Sequence, residues 1–195
     1  MRQAKVERST KETSISICLD LDGQGKYQNS TGIGFFDHVL DGFSRQTPYD
    51  LEINAKGDLY VDQHHTVEDT GICFGTALKQ AVGDARGINR YGYFILPMDD
   101  ALVLCSLDLS GRSFLSFDVS MPTQKVGDFD TELVQEFFLG LTRSAGMTLH
   151  IKLLAGTNTH HIIECVFKAF GRALAMATGM SMIRPGDIPS TKGVL

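Results

Sequence analysis

Long apolar runs are missing from this chain of 195 residues. No stretch approaches the roughly 20 residues that cross a bilayer, and the opening MRQAKVERSTKET has no apolar core of the kind a secretory signal carries. The expectation is a soluble, cytoplasmic protein with no membrane partner. A basic excess is missing too. Eighteen Lys and Arg stand against 23 Asp and Glu, a formal net charge of −5, and no stripe of basic and aromatic residues appears. Nucleic-acid binding, which needs a basic face to displace counterions, is therefore disfavoured. A small anionic substrate is still allowed, because a few converging Arg and Lys set a local field. Cysteine is sparse and scattered: Cys18, Cys73, Cys105 and Cys165 form no CxxC pair and sit among apolar neighbours. Buried free thiols are expected, rather than disulfides or a thiolate metal site. Long linkers are absent as well, so residues 1–195 are read as one domain.

What the chain does contain is a duplication. Gly42-Phe43-Ser44-Arg45 returns as Gly140-Leu141-Thr142-Arg143, 98 positions on. A strand-like segment follows each, Tyr49 to Ile53 in one copy and Met147 to Ile151 in the other. Then His64-His65-Thr66-Val67-Glu68 is matched by His160-His161-Ile162-Ile163-Glu164, offset by 96. The halves span approximately residues 1–92 and 93–184, with a Pro- and Gly-rich tail at 185–195. Alternation of Ile15, Ile17, Leu19 and Leu21 predicts a strand over 13–21. Further strands are predicted over 94–97, 101–109 and 114–119, with hairpin turns at Asp99-Asp100 and Ser110-Gly111. Residues 22–30 read as a turn or mobile loop. A helix over 64–86 carries few charges between Gly71 and Leu78, so deep burial is expected, against its own chain or another subunit. The fold class is α+β: two β-sheet/two-helix halves, their helix layers packed together between the sheets.

Four of the six histidines lie in the two HHxxE motifs; the others are His38 and His150. On a helix, residues i and i+4 share a face, so His64 with Glu68, and His160 with Glu164, can chelate one ion each. His65 and His161 are turned by about 100° from their neighbours and should serve the other ion. Two ions are expected, with His38 and His150 left over, one for each. Three imidazoles and one carboxylate suit a closed tetrahedral zinc site or the protein part of an octahedral manganese or iron site with two open positions. Ligand type does not decide between these; substrate lying between two ions favours open positions.

The segments TGIGFFDHVLDGF at 31–43, DQHHTVEDTG at 62–71, INRYGYFILPMDDAL at 88–102, DLSGR at 108–112, GMTLHI at 146–151, NTHHIIECVFKAFGRAL at 158–174 and PSTKG at 189–193 together resemble the imidazoleglycerol-phosphate dehydratase family. The resemblance covers nearly the whole chain. It implies a manganese-dependent hydro-lyase of histidine biosynthesis, assembled as a 24-subunit homo-oligomer with active sites between subunits and two Mn2+ in each. One ion would take His64, Glu68, His150 and His161; the other His38, His65, His160 and Glu164. The phosphate would be met by Arg90, Arg112, Lys168, Ser190 and Lys192, with the tail acting as a lid that brings in the last two. Glu12 matches an acidic residue near the substrate diol, and Asp99 is a second candidate there. Some relatives carry Gln in place of Gly42, or His in place of Gln46, neither a ligand position. A fused phosphatase, found in some relatives, is not expected here.

The implied chemistry is dehydration of imidazole glycerol phosphate to imidazole acetol phosphate. An imidazolate expels the hydroxyl from the neighbouring carbon, and the diazafulvene-like product acidifies the next C–H bond. Glu12, Glu68 and Glu164 are the candidate acid/base groups. The alternatives are a binuclear metal-dependent phosphate hydrolase, disfavoured by the scarcity of bridging carboxylates, and a non-catalytic assembly in which ions only join subunits.

Overall fold

A computed structural model describes residues 1–183 and 185–193. Arg184, which closes the predicted second half, and Val194 and Leu195 of the predicted tail lie outside the described residues. The first half runs β1 (Gln3–Ser9), β2 (Thr13–Asp20), β3 (Tyr27–Ser30), α1 (Gly34–Ser44), β4 (Asp50–Gly57) and α2 (His64–Val82). The second runs β5 (Tyr91–Met98), β6 (Ala101–Asp108), β7 (Phe114–Asp118), a small β8–β9 hairpin (Lys125–Val126 and Phe129–Asp130), α3 (Leu133–Ala145), β10 (Thr148–Ala155) and α4 (Thr159–Thr178). The duplication extends to topology: the sheets are ordered β1-β2-β4-β3 and β5-β6-β10-β7. In each, the third strand runs parallel beside the fourth and all other neighbours are antiparallel.

Alternation decides which face is covered. Ile15, Ile17 and Leu19 of β2, Leu51 and Ile53 of β4, Val103, Cys105 and Leu107 of β6, and Leu149 and Ile151 of β10 are all buried under the helices. Two expectations need correction. Residues 27–30 form a strand, because Tyr27 to Ser30 find free edge groups on β4 to pair with. Ser110-Gly111 is not a hairpin turn: the chain leaves β6 there and crosses to the far side of β10, so β6 and β7 never pair. Three cysteines are buried and Cys18 is half-buried; all are free. Burial pushes the Cys73 and Cys165 thiols up to about 11, which keeps them unreactive.

The helices form the middle layer. Helix α2 lies on β1 and β2 and packs against α3; α4 lies on β5 and β6 and packs against α1. Each crossing therefore joins one half to the other, and the weakly charged stretch of α2 is buried within its own chain. The α2–α3 crossing is close enough to need glycine. A Cβ on Gly71 would stand 2.3 Å from the Phe137 carbonyl oxygen, and one on Gly75 2.3 Å from that of Leu141. Gly75→Ala forces the helix axes apart and is expected to cost about 1–3 kcal/mol, the usual penalty of overpacking. A thermal unfolding midpoint equal to that of the parent would contradict this account of the crossing.

Candidate active site

Both HHxxE motifs open a helix, and the chain before each fixes where that helix begins. Asp62 Oδ1 accepts the backbone N–H of His64 at 2.7 Å. Asn158, 96 positions later, caps α4 by accepting the N–H of His161 at 3.2 Å. The histidines thus fall in the first turn of each helix. Within each doublet the rings diverge almost at right angles, with interplanar angles of 89° for His64–His65 and 84° for His160–His161. His64 Nε2 lies 3.7 Å from Glu68 Oε2, and His160 Nε2 lies 3.6 Å from Glu164 Oε2. Each i, i+4 pair therefore lies side by side on one helix face.

The α1–α4 crossing completes one cluster. It carries His38 Nε2 to 3.8 Å from Glu164 Oε2, with the His38 and His160 rings 5.5 Å apart. Ligand atoms of His38, His160 and Glu164 all lie within 4.8 Å of one another, the only such group of three among the described residues. Phe35 packs against both rings. Lys168, one turn beyond Glu164, donates to its Oε1 at 2.6 Å. Burial pushes the Glu164 carboxyl up, but the hydrogen bond and charge of Lys168 outweigh it, and the net position is below the usual carboxylate value. Glu164 is thus held as the anion that a cation requires.

The second histidine of each doublet is held differently. His65 Nδ1 lies 3.1 Å from both carboxylate oxygens of Asp58, and His161 Nδ1 lies 2.8 Å from Asp100 Oδ1. A carboxylate accepts only, so in the neutral ring the proton sits on Nδ1 and the Nε2 lone pair is left for a ligand. Facing those Nε2 atoms are Glu12 at 3.9 Å from His65 and Asp99 at 3.8 Å from His161. Glu12 is in the β1–β2 turn and Asp99 in the β5–β6 turn, equivalent places in the two halves. Asp100 also accepts from the Thr157 N–H at 2.6 Å, the Thr157 hydroxyl at 2.9 Å and the Asn158 N–H at 2.9 Å. The His161 bond and these donors hold its carboxyl far below the usual range. Nothing in the sequence reading marked Asp58 or Asp100 as partners of the histidines. Asp100 was visible only as a turn residue.

The remaining predicted residues sit apart from these clusters. His150 is exposed on the outer face of the second sheet, between Ser106 and Ser116 in register, its ring 5.5 Å from that of Phe114. Arg90 has φ of +71°, a conformation L-residues rarely adopt. Its guanidinium is engaged by Asp108 at 2.7 and 3.1 Å and by the Pro189 carbonyl at 2.8 Å. Arg112 stands 4.0 Å from the same Asp108. Hydrogen bonds from the Gly87 N–H to the Asp187 carbonyl (2.7 Å) and from Arg86 Nη1 to the Gly186 carbonyl (3.0 Å) seat the tail on the α2–β5 connection. Arg90, Arg112 and Ser190, with exposed Lys192 just beyond, therefore gather near the C-terminal end of α4. Lys168 stands with the histidines near the other end.

Fold and site together define a duplicated α+β protein with a histidine–carboxylate cluster at the start of one helix in each half. The family description for imidazoleglycerol-phosphate dehydratase matches residues 31–174. The imidazoleglycerol-phosphate dehydratases of Roseobacter denitrificans and Paracoccus denitrificans are 57% and 56% identical to this chain, each over 195 residues and the whole of both sequences. Among solved structures, that of imidazoleglycerol-phosphate dehydratase from Staphylococcus aureus shares 40% identity with a TM-score of 0.83, covering 92% of this chain and 99% of the other. The Pyrococcus furiosus enzyme, in complex with (S)-C348, shares 39% with a TM-score of 0.84, covering 97% and 100%. The chain belongs to the imidazoleglycerol-phosphate dehydratase family and is a hydro-lyase of histidine biosynthesis.

The hydrogen bond that His65 Nδ1 donates to Asp58 raises the His65 pKa above its ordinary 6.5. In metal-free protein the charged pair therefore stabilises the fold at low pH, and that contribution is lost as pH rises through the raised value. Asp58→Asn is expected to bring the His65 titration, followed by NMR in metal-free protein, back toward about 6.5. An unmoved titration would remove Asp58 from this role.

Proposed function

We propose that this chain dehydrates imidazole glycerol phosphate to imidazole acetol phosphate in the cytoplasm, using two Mn2+ per active site, in a homo-oligomer of 24 copies. The observation that carries the reading is the paired arrangement of the two doublets. In each, one imidazole stands beside a glutamate one helical turn on, while the other is fixed at Nδ1 and presents Nε2 to an acidic residue. The donor set, imidazole and carboxylate without thiolate and with imidazoles oriented by carboxylates, admits manganese as it admits zinc or iron; the family resemblance is what selects manganese. His38, His160 and Glu164 would hold one ion with His65; His64 and Glu68 would hold the other with His161 and His150. The exposed position of His150 favours ligands drawn from different copies. So does the apolar outer face around it, where Tyr91, Tyr93 and Phe114 are more than half exposed. Among the described residues no helix is long and apolar enough to cross a membrane.

When bound, the ions supply the positive charge that stabilises a deprotonated imidazole ring. The rest falls to the chain. The proton to be lost is on a carbon without a neighbouring carbonyl, so it becomes acidic only after the ring has expelled the adjacent hydroxyl. Glu12, beside His65 Nε2, is placed to take that proton, and tautomerisation of the enol yields the ketone. Glu68 and Glu164 serve as ligands. Glu164 is further committed by its bond to Lys168, which leaves Glu12 the freest of the three carboxylates. Lys168 offers its charge to the phosphate on the histidine side. Arg90, Arg112, Ser190 and Lys192 offer theirs from a second location, with the tail closing over it.

Incubating manganese-loaded protein with imidazole glycerol phosphate is expected to yield the acetol phosphate and no inorganic phosphate. Release of phosphate without the ketone would support a hydrolase instead, and neither product would leave a metal-linked assembly. With metal content unchanged, Glu12→Gln is expected to lower kcat by about 100-fold or more; near-normal turnover removes Glu12 from the acid/base role.

A further inference from the structure

Beneath the turn that carries Glu12 lies a buried carboxylate that the mechanism does not use. Asp69 follows Glu68 on α2 but faces the underside of β1 and β2, with only 10% of its side chain exposed. Its Oδ2 accepts the Thr13 hydroxyl at 2.5 Å and pairs with the Arg8 guanidinium. Thr13 is the residue after Glu12. The Thr10 hydroxyl, 3.3 Å from that of Thr13, accepts the backbone N–H of Glu12 at 3.1 Å and that of Thr13 at 3.0 Å. On its other side Glu12 is tied through its carbonyl, which accepts the Asp58 N–H at 3.0 Å. Asp58 in turn holds His65. The bonds form a closed circuit: from α2 at Asp69 through Thr13 and Glu12 to Asp58, and back to α2 at His65.

A buried carboxylate is a costly way to fill space, since an apolar residue packs as well without desolvating a charge. The other half shows that packing alone does not demand it. The position 96 residues on is Cys165, whose thiol donates to the Leu96 carbonyl at 3.1 Å. There the equivalent turn is held from the surface, by Asp100. Only the turn bearing Glu12 is fastened from inside the core.

We infer that Asp69, acting through Thr13, is a positioning residue that holds the β1–β2 turn so that the Glu12 carboxylate stands opposite His65 Nε2. This rests on the reading of Glu12 as the acid/base group. Asp69→Asn weakens the acceptor, and Thr13→Val removes the donor at little change in volume; Thr13→Ser keeps it. Because the Asp69 variant leaves Arg8 partly unpaired and its folding is at risk, Thr13→Val decides if it does not fold.

The experiment is a double-mutant cycle on manganese-loaded protein, with metal content and thermal midpoint recorded for every variant. Thr13→Val is expected to lower kcat between about 10- and 100-fold, the scale of a sub-ångström to 1 Å misplacement. KM should change by less than about twofold, as expected when an interaction specific to the transition state is weakened. Thr13→Ser should restore most of kcat. In the Glu12→Gln background, Thr13→Val should cost nothing further, because the residue it positions is already gone. An equal loss in both backgrounds, or an unchanged kcat in Thr13→Val alone, overturns the positioning role while leaving Glu12 in place. Near-normal turnover of Glu12→Gln itself defeats the underlying reading and takes this inference with it, and that single measurement tells the two failures apart.

Discussion

The site depends first on how closely helices from opposite halves cross. Gly71, Gly75 and Gly140 let α2 and α3 meet backbone to backbone, and Gly171 does the same for α4, where a Cβ would stand 2.8 Å from the Phe43 carbonyl. The second crossing is the one with chemical consequences. Only because α1 lies directly on α4 does His38, from the first half, reach Glu164 and His160, from the second. A wider crossing would leave a doublet with its own glutamate and nothing more. Small residues inside the helix layer thus set the distance across which imidazoles from two halves converge.

Much of this was legible in the sequence, for a physical reason. Duplication repeats a pattern at a fixed offset, so the HHxxE pairs and the flanking glycines could be aligned without a structure, and helical periodicity then placed His64 with Glu68 and His160 with Glu164. Alternation in Ile15, Ile17 and Leu19 likewise announced a half-covered strand. Less legible was anything that depends on which strands lie side by side. β3 is short and polar, and it is a strand only because β4 offers it an edge. β7 leaves β6 for the far side of β10, a crossover that no local signal records. Asp58 and Asp100 were overlooked because partners of a histidine are chosen by space rather than by spacing: Asp100 precedes His161 by 61 residues.

The offset that exposed the duplication also shows where it has been broken. His38 on α1 corresponds to Glu136 on α3, and His150 on β10 corresponds to Glu52 on β4, both 98 positions apart. The doublets are repeated but the two lone histidines are not. One lies in the helix layer, where its own chain supplies partners. The other lies on the outer face of a sheet, where among the described residues the Phe114 ring is the only one packed against it. Two ion sites built from these parts would not be equivalent. His38, His160 and Glu164 converge within a single chain, whereas a site that used His150 would have to bring a sheet face to a helix start.

The acidic turns follow the same logic. Glu12 and Asp99 occupy matching places and face matching imidazoles at nearly the same distance, so geometry at the imidazole alone does not separate them. Their supports do. Asp99 has φ of +49° and leans on a neighbour that spends its bonds at the surface. Glu12 is one residue from a hydroxyl anchored to a buried carboxylate, and its own backbone is bonded on both sides. Proton transfer from carbon tolerates little error in the position of the base, so the more firmly held of two similar acids is the better suited to it. On the proposed reading of Glu12, the half that keeps a charge in its core beneath one of the two turns is the half in which the position of a carboxylate matters most.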